Sequence, residues 1–292
     1  MNLLLTGPFN IICHHMRYEA YNIRQVMPKD SVYITIIRSP ISLYPSTFQY
    51  YWKYVPAFQF VPSPNDVDLW FRNPEHYWRL SQQYGSNTIH SHFAKNHMMF
   101  DLGFDNTREG TNYLTKMVDK LDQEFDFVLL AEHFEESLII LADILKWPLE
   151  NVACFHLNAR ERNASYDYPI TLQNKIKEWN KGDTFLYHHF NESLFKKIEG
   201  FGQEKMQSKL KALKKINNRM LSNCVEKDLV EVKGIHNKHI KSSIFQPNAQ
   251  VKILSYNLKA SARNQTTCRQ MVAPEKGFSR EVFYMQSKYN RT

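Results

Sequence analysis

The sequence predicts an α/β fold built around a parallel sheet. Short apolar or β-branched segments alternate with segments of helical periodicity, and the apolar segments stop abruptly at polar side chains. Strand, helix, strand and helix in this order are typical of parallel strands joined by right-handed crossovers. With 43% hydrophobic and 23% charged residues among 292, the chain can bury a sizeable core and is not a disordered chain.

The first elements follow one another closely along the chain. Residues 9–13 predict a buried strand because a short apolar run stops at two histidines, and residues 18–26 predict a helix. A turn at 28–30 leads to a second strand over 31–37, which is almost continuously apolar, as in a parallel strand covered on both faces. A helix is predicted over 41–54.

The middle of the chain begins with a proline-rich segment. Residues 55–75 contain four prolines, so we expect an ordered excursion or lid and not a core element. Helical spacing then predicts a helix that begins at Thr111 as N-cap. A third buried strand is predicted over 127–131, before a helix that Pro148 stops, and a fourth strand over 152–157.

The last third is basic and then irregular. Six basic residues over 205–219 predict an amphipathic helix whose basic side is either a solvated face or a polyanion-binding surface. From Val225 the pattern loses its regularity, so we expect an extension that wraps the core, with one strand over 251–256. The predicted domains are therefore 1–200, an α/β domain, and 201–292, the basic helix and an extension packed on the same domain.

Charge and composition limit the partners. The net charge of +8 favours anions, but aromatic and basic residues are not interleaved on one element, which disfavours nucleic acid. The apolar run at 3–5 is far shorter than the roughly 20 residues of a membrane span, and no signal peptide is recognised.

Four cysteines without a CxxC pair predict no zinc site and leave disulfides or free thiols open. Four N-glycosylation sequons favour a lumenal location, at Asn163, Asn191, Asn264 and Asn290.

Two groups of polar side chains follow predicted strands. Arg38 ends the second strand, and Ser46 is expected in the first turn of the next helix, where N–H groups and the helix dipole favour an anion. The alternative is an ordinary salt bridge of Arg38 beside an N-terminal serine. His14 and His15 follow the first strand at the same sheet edge, so either is a candidate general base or simply a surface histidine.

The order strand, His15, helix, strand, Arg38, seven residues, Ser46 resembles the sulfotransferase fold. Longer segments are similar to the galactose-3-O-sulfotransferases, namely residues 9–18, 37–40, 94–105, 130–138, 157–160 and 256–258. The similarity extends from about Pro8 to Tyr289.

The resemblance implies a P-loop-NTPase-like fold and a PAPS-dependent transfer of sulfonate to the 3-hydroxyl of a terminal β-galactose. The acceptor would be a glycolipid of the galactosylceramide type or a glycoprotein, and no metal is expected. Arg38 and Ser46 would hold the 3′-phosphate of PAPS (3′-phosphoadenylyl sulfate), Arg160 would also bind this donor, and His15 or His14 would be the base.

The galactose acceptor needs an aromatic face and hydrogen-bonding groups. Trp52, His97 and Asp101 are the candidates, with a core position and local structural hydrogen bonds as the respective alternatives. Glu132 and His133 end a predicted strand and either reach the site or cap a helix.

The sequence also departs from the family pattern. Family members are type II Golgi membrane proteins with a strand-loop-helix whose His-Lys-Thr type run cradles the 5′-phosphosulfate, and this chain has neither that run nor an anchor. Its only Lys followed by two hydroxyl residues is at 241–243, in the irregular tail. Pro45 is a further departure, expected to bias Tyr44 away from helix and to displace the Ser46 hydroxyl.

These departures predict an N-terminally truncated sulfotransferase fold with no more than trace activity. Golgi-lumen residence is expected, with membrane association only through an anchor absent from this chain. The alternative is a catalytically inactive remnant that binds nucleotide or glycan without turnover.

Overall fold

The computed structural model describes residues 11–13, 15–83, 92–157, 159–160, 168–226, 229–246 and 251–289. It combines many helices with a small parallel sheet and a small antiparallel sheet, in agreement with the predicted α/β class. The chain divides into two compact units, residues 1–137 with 166–200 and residues 138–165 with 201–292.

The elements are as follows. In chain order the helices are α1 (Ala20–Val26), α2 (Pro40–Tyr51), α3 (Val67–Trp70), α4 (Pro74–Gln83), α5 (His97–Asp101), α6 (Thr111–Glu124), α7 (Phe134–Ile144), α8 (Ile170–Trp179), α9 (Lys181–Phe201), α10 (Gln203–Cys224), α11 (Lys238–Ser243), α12 (Thr266–Val272) and α13 (Glu275–Tyr289). The strands are β1 (Ile34–Ile37), β2 (Phe127–Leu130), β3 (Ala159–Arg160), β4 (Val230–Glu231) and β5 (Ile253–Ser255).

The parallel sheet of the first unit consists of β1 and β2, in register from Ile34 opposite Phe127 to Ile37 opposite Leu130. Both strands are confirmed, and every residue of β2 is buried. The expectation that both faces of β1 are covered is wrong, because Ile34 and Ile36 are 43% and 50% exposed. Among the described residues, no element packs over that face of β1 closely enough to bury them.

The proline-rich segment is part of the core, so the prediction of a lid outside the core is wrong. Phe58, Trp70 and Phe71 are buried and surround Tyr44 of α2, with ring centroids 5.9, 5.4 and 5.0 Å from the tyrosine ring. The Trp70 indole N–H donates to the Ala57 carbonyl at 3.1 Å. Prolines interrupt regular helix here, but the aromatic side chains between them still bury most of their surface.

Several predicted boundaries change. Ile11–Cys13 are not in a strand, and Ile11 is 75% exposed, whereas Phe9 and Asn10 lie outside the described residues. Helix α6 is confirmed, but its N-cap is Gly110 and not Thr111. The strand predicted over 152–157 is wrong, since those residues form a 3-10 turn and irregular backbone.

The second unit contains a three-stranded antiparallel sheet in the order β3, β5, β4. Helix α10 and strand β5 confirm the predicted basic helix and C-terminal strand. Cys224 and Cys268 form a disulfide with a Cα–Cα distance of 5.3 Å. The predicted irregular tail is wrong in one respect, because residues 238–289 include α11, α12 and α13, and residues 241–243 end α11.

No helix in the described part of the chain combines the length and the hydropathy that a membrane-spanning helix needs.

Candidate active site

The carboxyl edge of the parallel sheet carries a chain of polar groups. Arg38 directly follows β1, and its Nε donates to Ser42 Oγ at 2.9 Å. Ser42 Oγ donates in turn to a carboxylate oxygen of Glu132, which follows β2, at 2.8 Å. The meeting of these residues agrees with the expectation that polar side chains beyond parallel strands share one edge.

The N-terminus of α2 binds the Glu132 carboxylate. The backbone N–H of the N-cap residue Ser39 lies 3.1 Å from both carboxylate oxygens. A negative charge at a helix N-terminus interacts favourably with the helix dipole. The Ser39 N–H of this position is therefore bonded to the Glu132 carboxylate, which acts as a helix cap, one of the two roles expected for it.

Tyr187 of α9 completes this group. Burial, the nearby negative charge of Glu132 and a hydrogen bond to the same carboxylate raise the pKa of Tyr187 to about 12. The phenol therefore stays protonated at neutral pH and donates to Glu132.

Ser46 lies in the second turn of α2, so the expected first-turn position is wrong. The reason is that α2 begins at Pro40, directly after the Ser39 cap. Pro45 does not interrupt α2, and Tyr44 is helical. The expected bias of Tyr44 away from helix is therefore overruled by its burial in the aromatic core.

Ser42, one turn after Arg38, is a site residue that the sequence reasoning missed, although its spacing of four residues was a usable signal.

The acceptor candidates His97 and Asp101 are brought together on α5. His97 Nε2 lies 2.9 Å from Asp101 Oδ2. A small cleft between α2, α5 and the start of α9 includes His97 among its lining residues, together with Pro40, Leu43, Tyr44, Thr47, Phe93, Asn180 and Asp183. Trp52 lies at the C-terminal end of α2, where its indole N–H donates to the Val61 carbonyl at 2.8 Å.

Asp183 fixes the start of α5. Its two carboxylate oxygens accept the backbone N–H groups of Met98 at 3.1 Å and Met99 at 2.9 Å. Burial raises the pKa of Asp183 to about 6, although both N–H groups and the neighbouring His97 act to lower it. No local sequence signal predicted this cap, because Asp183 and Met98 lie far apart in the chain.

Asn96, which precedes α5, adds to the same framework. It is buried with φ 43°, and its N–H donates to Asn180 Oδ1 at 2.9 Å. Its amide oxygen accepts the N–H of Asp183 at 3.1 Å. The start of α5 is therefore locked to the start of α9 by buried hydrogen bonds, which fixes the orientation of His97.

The segment that carries His15 runs against α5. His15 is exposed, and His14 lies outside the described residues. Three residues later, the Tyr18 N–H donates to the Asp101 carbonyl at 2.6 Å. Arg17 donates to the carbonyls of Phe100, Gly103 and Phe104 at 3.1, 3.2 and 3.1 Å. Three residues span at most about 10 Å, so His15 stays within that distance of Tyr18 along the backbone.

Arg160 belongs to the second unit. It lies in β3, where it is opposite Ile253 of β5.

Comparison with known proteins identifies similar sequences over nearly the whole chain. A family model described as galactose-3-O-sulfotransferase matches residues 3–286. The chain is 34% identical over 271 residues to galactosylceramide sulfotransferase of Homo sapiens, which covers 91% of this chain and 62% of that protein. It is 30% identical over 291 residues to galactose-3-O-sulfotransferase 3 of Mus musculus, covering 97% and 65%.

A third relative is galactose-3-O-sulfotransferase 2 of Sus scrofa, 31% identical over 284 residues, covering 95% of this chain and 68% of the relative. The chain thus spans less than two thirds of the length of the two relatives named before it. No solved structure matches the chain.

Proposed function

The chain belongs to the galactose-3-O-sulfotransferase family, and on this premise we propose that the protein transfers a sulfonate from PAPS to the 3-hydroxyl group of a terminal β-galactose. The acceptor is a glycolipid of the galactosylceramide type or a glycoprotein glycan. The observation that carries the proposal is the N-terminus of α2, where Ser39 and Ser42 bind a carboxylate and Arg38 is bonded to Ser42.

The donor set of this position fits a phosphate. A guanidinium, a hydroxyl and a backbone N–H at a helix N-terminus are the groups that recurrently bind phosphate oxygens. We propose that Arg38 holds the 3′-phosphate of PAPS, with Ser42 beside it, and that Ser46 and Arg160 are further donor-binding residues. Ser46 would contribute its hydroxyl alone, since N–H groups in the second helical turn are bonded within the helix.

Donor binding then requires a change at Glu132. The carboxylate and the 3′-phosphate are both anions and would use the same N–H and hydroxyl groups. We propose that Glu132 turns away when the donor binds, which its exposed position permits.

The proposed transfer is an in-line displacement at sulfur. The 3-oxygen of galactose forms a bond to sulfur while the bond from sulfur to the bridging oxygen of the 5′-phosphate breaks. His15, or its neighbour His14, takes the proton of the attacking hydroxyl. Basic groups would stabilise the negative charge that develops on the bridging oxygen of the departing nucleotide.

For the acceptor, we propose that His97 and Asp101 bond hydroxyl groups of the galactose and that Trp52 offers an apolar face. The paired arrangement of His97 and Asp101 on α5 supports a joint role. The tie between Tyr18 and the Asp101 carbonyl also keeps the His15 segment next to α5.

We further propose that residues 1–200 carry the reaction, that 201–292 extend the same domain, and that the protein resides in the Golgi lumen. The disulfide between Cys224 and Cys268 supports an oxidising compartment.

A sulfation assay with radiolabelled PAPS and a galactosyl acceptor tests the function. We expect transfer to the 3-hydroxyl at the trace level predicted from the sequence, with this activity abolished in His15→Ala and retained in His76→Ala, a control at another exposed histidine. Binding of 3′,5′-ADP without any turnover would instead identify a non-catalytic binding protein. Unchanged activity of His15→Ala would transfer the role of base to His14 or another residue.

A further inference from the structure

His92, His97 and Asp101 form a compact group of potential metal ligands. One ligand atom from each side chain lies within 4.8 Å of those of the other two. His97 and Asp101 are one helical turn apart on α5, so both side chains project from one side of the helix. His92 precedes α5, and its ring centroid lies 5.7 Å from that of His97.

We propose that these three side chains bind a divalent transition metal ion of the zinc type. Two imidazoles and one carboxylate are a ligand set that zinc uses when it leaves a fourth position to water. Imidazole ligands disfavour magnesium and calcium, which prefer oxygen ligands. Because His97 and Asp101 are also the proposed galactose contacts, a bound metal would take the place of their direct hydrogen bonds to the sugar. Metal binding is measurable on the protein without donor or acceptor, so its test does not depend on sulfate transfer.

The geometry is close to what zinc requires. Zinc bonds of about 2.0–2.2 Å in a tetrahedron place the ligand atoms about 3.3 Å apart. His97 Nε2 and Asp101 Oδ2 are 2.9 Å apart, slightly closer than this spacing. None of the three ligand atoms lies more than 4.8 Å from another. The ligand atoms would therefore have to approach one another by no more than about 1.5 Å to reach the zinc spacing.

The framework around the ligands is rigid. The His92 ring stacks on Phe100, with centroids 4.0 Å apart and an interplanar angle of 12°. Asp183 caps α5 and adds a buried negative charge close enough to His97 for the two to interact electrostatically. A cation at His97 would compensate that charge.

The other ring nitrogen of His97 is not a ligand atom in this arrangement, because Nε2 is the atom that faces Asp101. Its Nδ1 atom is buried and has no hydrogen-bond partner within the described part of the chain. A buried polar atom of this kind is a position where a bound water is expected. Coordination of one ring nitrogen fixes the tautomer and therefore determines the hydrogen-bonding role of the other.

Cobalt binding to the purified, chelator-treated chain tests the proposal. We expect one Co²⁺ per chain, with the intense visible absorption of a four-coordinate site, displaced by Zn²⁺. His97→Ala and Asp101→Asn should each weaken binding by more than about tenfold, since loss of even an outer-shell partner costs about 10–100-fold. His92→Phe preserves the stacking on Phe100 and should weaken binding to the same degree.

The matched control is His189→Ala. His189 Nε2 lies 2.7 Å from Asp122 Oδ2, a histidine–aspartate pair that no third metal-ligating side chain completes in the described ranges. Cobalt affinity should be unchanged in this variant. If His97→Ala does not fold, Asp101→Asn and His92→Phe decide the question.

Two results would overturn the site. One is the absence of stoichiometric Co²⁺ binding, judged by both absorption and calorimetry. The other is binding that the three ligand variants leave unchanged, which would assign the metal to other histidines of the surface.

Discussion

Glu132 accepts a hydrogen bond from Ser42 Oγ at 2.8 Å, although the two residues lie on different elements of the sheet edge. Ser42 also accepts the Nε–H of Arg38, so the carboxylate is connected to the guanidinium through a single hydroxyl. An incoming phosphate at this position meets both an attractive cation and a competing anion. The first two predictions separate these effects.

Glu132→Gln is expected to strengthen binding of 3′,5′-ADP about fivefold, which corresponds to about 1 kcal/mol. The amide keeps the size of the side chain but removes the charge that repels the phosphate. Calorimetric titration measures the change, with Glu135→Gln, a change at another exposed glutamate, as the control. Weaker binding in Glu132→Gln would mean that the carboxylate supports the nucleotide and does not compete with it.

Arg38→Ala is expected to weaken binding of 3′,5′-ADP by about 1.5–3 kcal/mol, the range for a charge-assisted hydrogen bond. Arg72→Ala is the control, because Arg72 is an exposed arginine whose ion pair with Asp68 is 3.9 Å long. Equal affinities of wild type and Arg38→Ala in the same titration would remove Arg38 from the donor site.

Asp183→Asn should change the pH dependence of stability. The folded protein keeps the Asp183 proton up to about pH 6, whereas the unfolded chain releases it near 3.8. The free energy of unfolding of the wild type should therefore fall by about 3 kcal/mol from this group as pH rises through that window. The variant lacks this loss, so its stability should rise relative to wild type between pH 4 and pH 7.

Thermal unfolding of both proteins at the two ends of that window measures the relative change. Asp68→Asn, a change at an exposed aspartate, is the control, and its stability relative to wild type should not change with pH over this window. A constant difference between wild type and Asp183→Asn would contradict the raised pKa.

Glycosylation should distinguish two sequons in the described part of the chain. Asn264 is exposed in a turn before α12, whereas Asn191 is half-buried within α9. The chain is expressed in a secretory host behind a supplied signal peptide, and the mass of the product is measured. We expect Asn264→Gln to lower this mass by that of one glycan and Asn191→Gln to leave the number of glycans unchanged. A folded chain that carries no glycan at all would count against the lumenal proposal.

Gly103→Ala is expected to destabilise the protein by about 1–3 kcal/mol. Gly103 has φ +91°, and an added Cβ would collide with the Tyr18 carbonyl oxygen, next to the N–H that bonds Asp101. Gly200→Ala is the control, because that position in α9 has open space and should be neutral or gain about 0.5–1 kcal/mol. Denaturant unfolding measures both, and equal stability of Gly103→Ala and wild type would contradict the close approach.

The amino-acid sequence alone determined the elements whose signals are local. Strand β2 is a continuous apolar run and β1 is β-branched throughout, whereas α6 repeats Leu114, Met117 and Leu121 at helical spacing. The positions of these elements therefore follow from local side-chain patterns. The polar edge at Arg38 was also predictable, because residues that follow parallel strands meet at one side of a sheet. The family resemblance supplied the reaction to be expected there.

Tertiary packing alone decided which groups fill that edge and what supports it. Glu132 binds Ser39 across 93 residues of sequence, Asp183 caps α5 across 84 or 85, and Cys224 joins Cys268 across 44. The aromatic residues between the prolines became core for the same reason. Periodicity predicts which side of a segment is buried. Which residues pack against that side depends on the packing of the whole chain, because the burial of many side chains outweighs each local preference.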